Sequence, residues 1–399
     1  MKMSLTYLPG NSSVISPWLR LPLPTPALWR RFTLFADEAI PAFDFIHRFD
    51  KIYIPNLEYF ALCLSSYSSF DPSGSYIAKT QGRGNMNSLL LTEGAPRLCV
   101  VRIDAATPFH SLPPLSNITT LTIQDSRKGA QFKFPIFHSI LTIPTLTNLS
   151  IETWSCIEDY WTIDHGNLPS IKMPSLKTLR ITQDSDMLSI LSFLDAPLLQ
   201  TLVLYNVDLI SVHIDQDIHK ITTFIQLDTI AFLDCRYLFR YLDEEGVDRV
   251  DMILNTLACH AAHVIISNPD DASFIQTGSK LLDFNRYGWP RLQCLTLNLS
   301  TFAGPMFSIG NFEHSPHSLT VRVVKDVLDY WREGRSEGLL TLEKARKLET
   351  MNVGDLMMDE PWPAPGGLFQ EDGNLKNRFI WGETLRAKGP RWLRKSKVS

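Results

Sequence analysis

Six cysteines in 399 residues, none of them in a C-x-x-C pair, are too few and too scattered for a disulfide scaffold or a zinc ribbon. Long apolar runs are missing as well. No window approaches about 18 uninterrupted apolar residues, so no membrane span is expected. An excess of one charge is also lacking: 38 Lys plus Arg face 42 Asp plus Glu, a formal net charge of −4, which argues against a nucleic-acid binder. Met1 to Pro9 (MKMSLTYLP) has no continuous apolar stretch, so no secretory signal is read. The four Asn-x-Ser/Thr sequons at Asn11, Asn117, Asn148 and Asn298 then read as chance matches. These absences point to a reduced cytoplasmic or nuclear protein, with no membrane or nucleic acid among its partners.

Catalytic signatures are missing too. No H-E-x-x-H, G-x-S-x-G or P-loop pattern occurs. Cys259, His260 and His263 offer too few ligands for zinc. Gly82-Arg83-Gly84 lacks the third glycine of a dinucleotide turn, and Asp164-His165-Gly166 has no serine or cysteine beside it. No enzyme activity, cofactor or metal is expected.

What the chain does contain is a repeat. With 44% apolar residues it has the composition of a folded protein, and self-similarity is its strongest signal. IPTLTNLSI (143–151), MPSLKTLRI (173–181), APLLQTLVL (196–204) and WPRLQCLTL (289–297) each place apolar residues two, five and seven positions after a proline. IPNLEYFAL (54–62) and APRLCVVRI (95–103) fit with substitutions, while NITTLTI (117–123) and FIQLDTIAF (224–232) keep the apolar positions without the proline. The last two apolar positions share one face of a short strand, and the proline suits a place that needs no N–H donor. One copy cannot bury enough surface, whereas stacked copies make a continuous apolar spine. Between copies, Asp186–Asp195, Val247–Ala258 and Ser273–Phe284 have helical spacing. The expected fold class is therefore α/β: an irregular leucine-rich-repeat solenoid, right-handed, with a parallel strand ladder and helices on its outer face.

The leucines of the template are core. The alternate strand positions face the other way, and a partner-binding strip is expected there: Arg102, Asp104, Thr122, Gln124, Ser150, Glu152, Arg180, Thr182, Val203, Tyr205, Thr296 and Asn298. Mixed Arg, acid, Thr and Tyr suit a protein partner, an unknown target, better than a phosphate. The plainer alternative is a solvated sheet face.

Ser13 to Phe32 (SVISPWLRLPLPTPALWRRF) resembles the end of the F-box region in fungal F-box/leucine-rich-repeat proteins, through Trp18 and Arg20 followed by Thr25, Pro26, Leu28 and Trp29. Val323 to Gly334 (VVKDVLDYWREG) and the Ala-Pro-x-Leu strands are similar to that family as well. The resemblance implies a substrate-receptor subunit of an SCF-type ubiquitin ligase, with a Skp-type adaptor as partner. Leu8-Pro9-Gly10 lacks the acidic residue of the family's Leu-Pro-x-Glu opening, so the F-box is truncated or missing and no docking residue is carried over. The organisation expected is an F-box remnant and N-terminal cap over 1–35, with Trp18 and Trp29 as capping aromatics. A solenoid over 36–350 follows, with a Ser/Gly-rich loop inserted at 65–88, and an irregular tail runs over 351–399. The basic cluster Arg386, Lys388, Arg391, Arg394, Lys395 and Lys397 reads as a solvated tail or an import signal.

Overall fold

A computed structural model describes residues 2–7, 26–36, 49–64, 90–104, 112–124, 134–152, 170–182, 191, 193–205, 207, 224–233, 235, 257, 260–268, 291–299, 319–334 and 347–351. The chain divides into two compact units, and the division passes through the strand Thr178–Thr182.

The first unit is a ladder of six strands: β1 (Lys2–Tyr7), β2 (Arg31–Ala36), β3 (Tyr59–Leu64), β4 (Val100–Asp104), β5 (Thr120–Gln124) and β6 (Asn148–Glu152). Every pairing is parallel and joins neighbours in sequence. The template explains why. Phe32, Phe60, Val101, Leu121 and Leu149 stand in one row across the strands, and Leu34, Leu62, Ile103, Ile123 and Ile151 in the next. All ten are buried. A third buried row, Trp29, Leu57, Leu98, Ile118 and Leu146, precedes them by three residues, so each rung contributes three side chains to the spine. The separation between rungs varies, at 28, 41, 20 and 28 residues, without disturbing this register.

The proline has a more specific place than a strand edge. The N–H of Leu57 donates to the carbonyl of Ile54, Leu98 to Ala95, Leu146 to Ile143 and Leu176 to Met173. Each bond closes a four-residue turn whose second position is Pro55, Pro96, Pro144 or Pro174, where a φ near −65° is already required. Ser116 takes that position ahead of β5, and the turn closes from Ile118 to Leu115 all the same. After the turn, one carbonyl of each rung accepts two successive N–H groups from the next. Arg30 receives Glu58 and Tyr59, Glu58 receives Cys99 and Val100, Cys99 receives Thr119 and Thr120, and Thr119 receives Thr147 and Asn148.

This unit also holds helix α1 (Phe134–Leu141), which buries Phe137, Ile140 and Leu141, and two short strands. These are β7 (Ile171–Lys172) and β9 (Leu194–Asp195), paired in parallel. The last two residues of the helix expected over Asp186–Asp195 are thus strand, because their backbone groups bond to β7; Asp186–Ile190 lie outside the described residues.

The second unit takes in most of β8 (Thr178–Thr182) and then β10 (Thr201–Tyr205), β11 (Thr229–Leu233), β12 (His263–Asn268), β13 (Cys294–Leu299), β14 (Thr320–Val324) and β15 (Lys347–Met351). From β10 onward each strand pairs in parallel with the next in sequence. The buried rows are Leu202, Ile230, Val264, Leu295 and Val321, and Leu204, Phe232, Ile266, Leu297 and Val323. Helix α2 (Lys325–Gly334) continues directly from β14 and buries Leu328. Of the other two expected helices only Leu257 is described, and it is buried; Ser273–Phe284, the 65–88 insertion, Trp18, and the tail beyond Met351 lie outside the described residues.

Candidate functional site

Pleating puts every second side chain on the face opposite the spine, so the register that aligns the core also aligns that second face. In the first unit it brings Arg102, Thr122 and Ser150 into one row, and the backbone positions of Asp104, Gln124 and Glu152 into the next. The side chains of those last three are outside the described residues. Arg31 lies with its guanidinium 4.5 Å from the Tyr59 ring centroid, a cation–π contact in which both residues are buried. Asn148 donates to Thr120 Oγ1 (3.3 Å) and to Thr147 Oγ1 (2.9 Å). Thr182 is buried, with its hydroxyl 3.5 Å from the carbonyl of Ile151. At the lead-in to β4, burial pushes the Cys99 thiol up from its ordinary value, and the Glu58 charge pushes the same way. Both effects disfavour its thiolate form.

In the second unit the face changes character along the ladder. Val203, Tyr205, Ala231 and Leu233 form a buried apolar cluster with Ile265 packed against it. Arg180 stacks over Tyr205 at 5.9 Å. Thr296 and Asn298 follow, both buried, and Asn298 donates to Ser267 Oγ at 2.9 Å. Beyond them the face opens. Arg322 donates through Nε to Glu349 Oε2 at 3.0 Å, and Lys347 Nζ lies 2.7 Å from Glu349 Oε1. The hydrogen bonds from Lys347 and Arg322 hold the Glu349 carboxyl below its usual range, and the bond from Glu349 holds Arg322 above its own.

No protein-family model and no curated protein matches this chain. Its chemistry is read from its own residues. Of the twelve strip positions expected from sequence, nine have described side chains, and only Arg102 among them is partly exposed. Among the described residues the exposed positions of the second face are His263, Arg322 and Lys347, on β12, β14 and β15; Ile265, Ser267, Cys294, Thr320 and Glu349 beside them are half-buried, as are Arg102, Asn148, Thr178, Thr201 and Thr229 on earlier strands. Sequence reasoning overlooked His263, Arg322 and Lys347: β12 and β15 have no leading proline, and ahead of β14 Pro316 keeps its spacing to Val321 and Val323 but Ser318 replaces the leading apolar residue. The signal that finds two of those strands is the simple alternation Val264-x-Ile266 and Val321-x-Val323.

Among the described residues no three His, Cys, Asp or Glu side chains converge as metal ligands; His263 instead sits 3.9 Å from Asp228 through Nδ1. Among the same residues, no helix is long and apolar enough to cross a membrane.

Proposed function

We propose that this chain is a protein-binding module of the leucine-rich-repeat type, holding its target on the strand face opposite the apolar spine. On this reading the ladder winds as a right-handed solenoid with its helices on the outer face. The observation that carries it is the parallel register itself. It lines up second-face side chains rung after rung and leaves the charged cluster of Arg322, paired with Glu349, and the neighbouring Lys347 open to a partner. Cys235 adds support: three residues beyond Phe232, it falls on the Asn/Cys position of the repeat consensus, and its thiol donates to the Leu204 carbonyl of the preceding rung at 3.4 Å.

The resemblance to F-box/leucine-rich-repeat proteins narrows the role to the substrate receptor of an SCF-type ubiquitin ligase, joined to a Skp-type adaptor. A repeat protein that binds or scaffolds without a ligase link is the second reading. It is favoured by Lys2–Tyr7, which pair as a strand with β2 where the family's adaptor-docking helices precede its repeats.

Two measurements test this. Co-expression of the full chain with a Skp-type adaptor should give a stoichiometric complex if the ligase reading holds; a soluble chain that purifies alone removes that link. Binding partners recovered by the wild-type chain should be lost by R322E/K347E if the second face is the recognition surface. Their retention would discredit the face.

A further inference from the structure

The edge where the chain turns into its strands carries exposed apolar side chains, and Ile225 is the most exposed of them. The second position of the closed turn is Pro ahead of β3, β4, β6 and β8 and Ser ahead of β5, while ahead of β11 it is Ile225, in the turn closed by Leu227 N–H to the Phe224 carbonyl. A β-branched apolar residue gains nothing there as a turn former, and it buries nothing, being 70% exposed. Arg291, 66 residues on, reaches back to donate through Nη1 to the Ile225 carbonyl at 3.1 Å, which pins that turn. Between them opens a cleft of about 490 Å³ lined by Gln200, Thr201, Ile225, Gln226, Asp228 and Arg291. Asp228 is held ready. Its carboxylate accepts from the Thr229 hydroxyl at 3.2 Å, its carbonyl accepts from Ala262 and His263, and its side chain is 54% exposed.

An apolar side chain held in the open without a packing gain marks a position retained for another purpose. We propose that this cleft, at the entry edge of the strand face, is a second recognition site that takes an extended peptide segment of a partner protein. The two glutamine amides each offer a donor and an acceptor that match a peptide main chain. Ile225 receives an apolar side chain, and Asp228 a lysine or arginine beside it.

The test is selection of a random heptapeptide display library on the full-length protein. The expected result is enrichment of peptides with a basic residue next to an apolar one, bound at least tenfold more weakly by Ile225→Ala and by Asp228→Asn. Asp228→Lys should invert the selection toward acidic peptides. Ile225→Pro restores the turn used elsewhere, so it should keep the thermal midpoint at or above wild type while losing peptide binding, which separates the site from the fold. Arg322→Ala, on the strand face, should leave binding intact; loss there would assign the peptide to that face and overturn the cleft. No enrichment, or enriched peptides indifferent to Ile225 and Asp228, would overturn it equally.

Discussion

Trp29 is the most demanding test of the spine. It occupies the place held by a leucine or isoleucine in the rungs of β3 to β6, it is fully buried, and it stacks on Phe32 (6.0 Å, 11°) and tilts against Phe49 (5.7 Å, 51°). Removing such a ring leaves a cavity the neighbours cannot fill, so Trp29→Ala should cost about 3–5 kcal/mol. Trp29→Phe is the informative partner. The indole Nε1 is buried with no hydrogen-bond partner among the described residues, a liability of about 1–3 kcal/mol that phenylalanine removes. Against this stands the smaller ring, roughly 1–2 kcal/mol of lost burial and packing. The two nearly cancel, so Trp29→Phe should lie close to wild type. Urea unfolding followed by far-ultraviolet circular dichroism reads both. With a slope of about 2–3 kcal/mol per molar, the alanine variant should lower the midpoint by roughly 1–2 M. A shift below about 0.3 M for alanine, or a phenylalanine variant as weak as alanine, would refute the placement of this ring in the spine.

Glu349 should titrate below an ordinary glutamate. Its charged form is favoured in the fold, so the stabilisation it gives is complete above the unfolded value of about 4.3 and is lost as pH falls through the lower folded value. Carboxyl carbon shifts in an NMR titration, with and without Arg322→Ala, check the direction. Cys235→Asn should be tolerated, because asparagine also donates to the Leu204 carbonyl, whereas Cys235→Leu should overpack the site and cost about 1–3 kcal/mol in the same urea assay. Excising 20 residues from within 65–88 should change stability by no more than about 0.6 kcal/mol, the closure entropy of halving that connection; a loss of several kcal/mol would show that the segment packs on the ladder.

Legibility in the sequence followed the physics of burial. Leu146, Leu149 and Ile151 could be placed because burial needs the same three spacings in every rung, and the structure keeps them whatever lies between. The proline was visible, but its role as the second residue of a closed turn was not, since that depends on the Leu146 N–H returning to the Ile143 carbonyl. Trp29 was read as a terminal cap. Its equivalence to Leu57 emerges only from the pairing of Phe32 with Phe60, and β1 stands one rung further out. β12 was missed because Ala261 replaces the leading leucine, leaving only Val264 and Ile266 to mark the strand.

The second face was harder for a different reason. Alternation tells which way a side chain points and nothing about what lies over it, so Ser150, Arg180 and Val203 were placed on the correct face yet prove buried. A run of threonine and arginine looks the same in sequence whether it meets water or protein. What separates the two is local. Where the face carries Val203, Tyr205 and Leu233 it is closed, and where it carries Arg322, Lys347 and Glu349 the three charges satisfy one another in the open. A partner that docks on those charges displaces water and exchanges one ion pair for another, at a modest net cost. A partner that docks on the apolar stretch must first uncover it. Among the described residues the most exposed positions of this face, His263, Arg322 and Lys347, stand on β12, β14 and β15, so recognition by this protein should depend on them far more than on the buried Arg180 of β8.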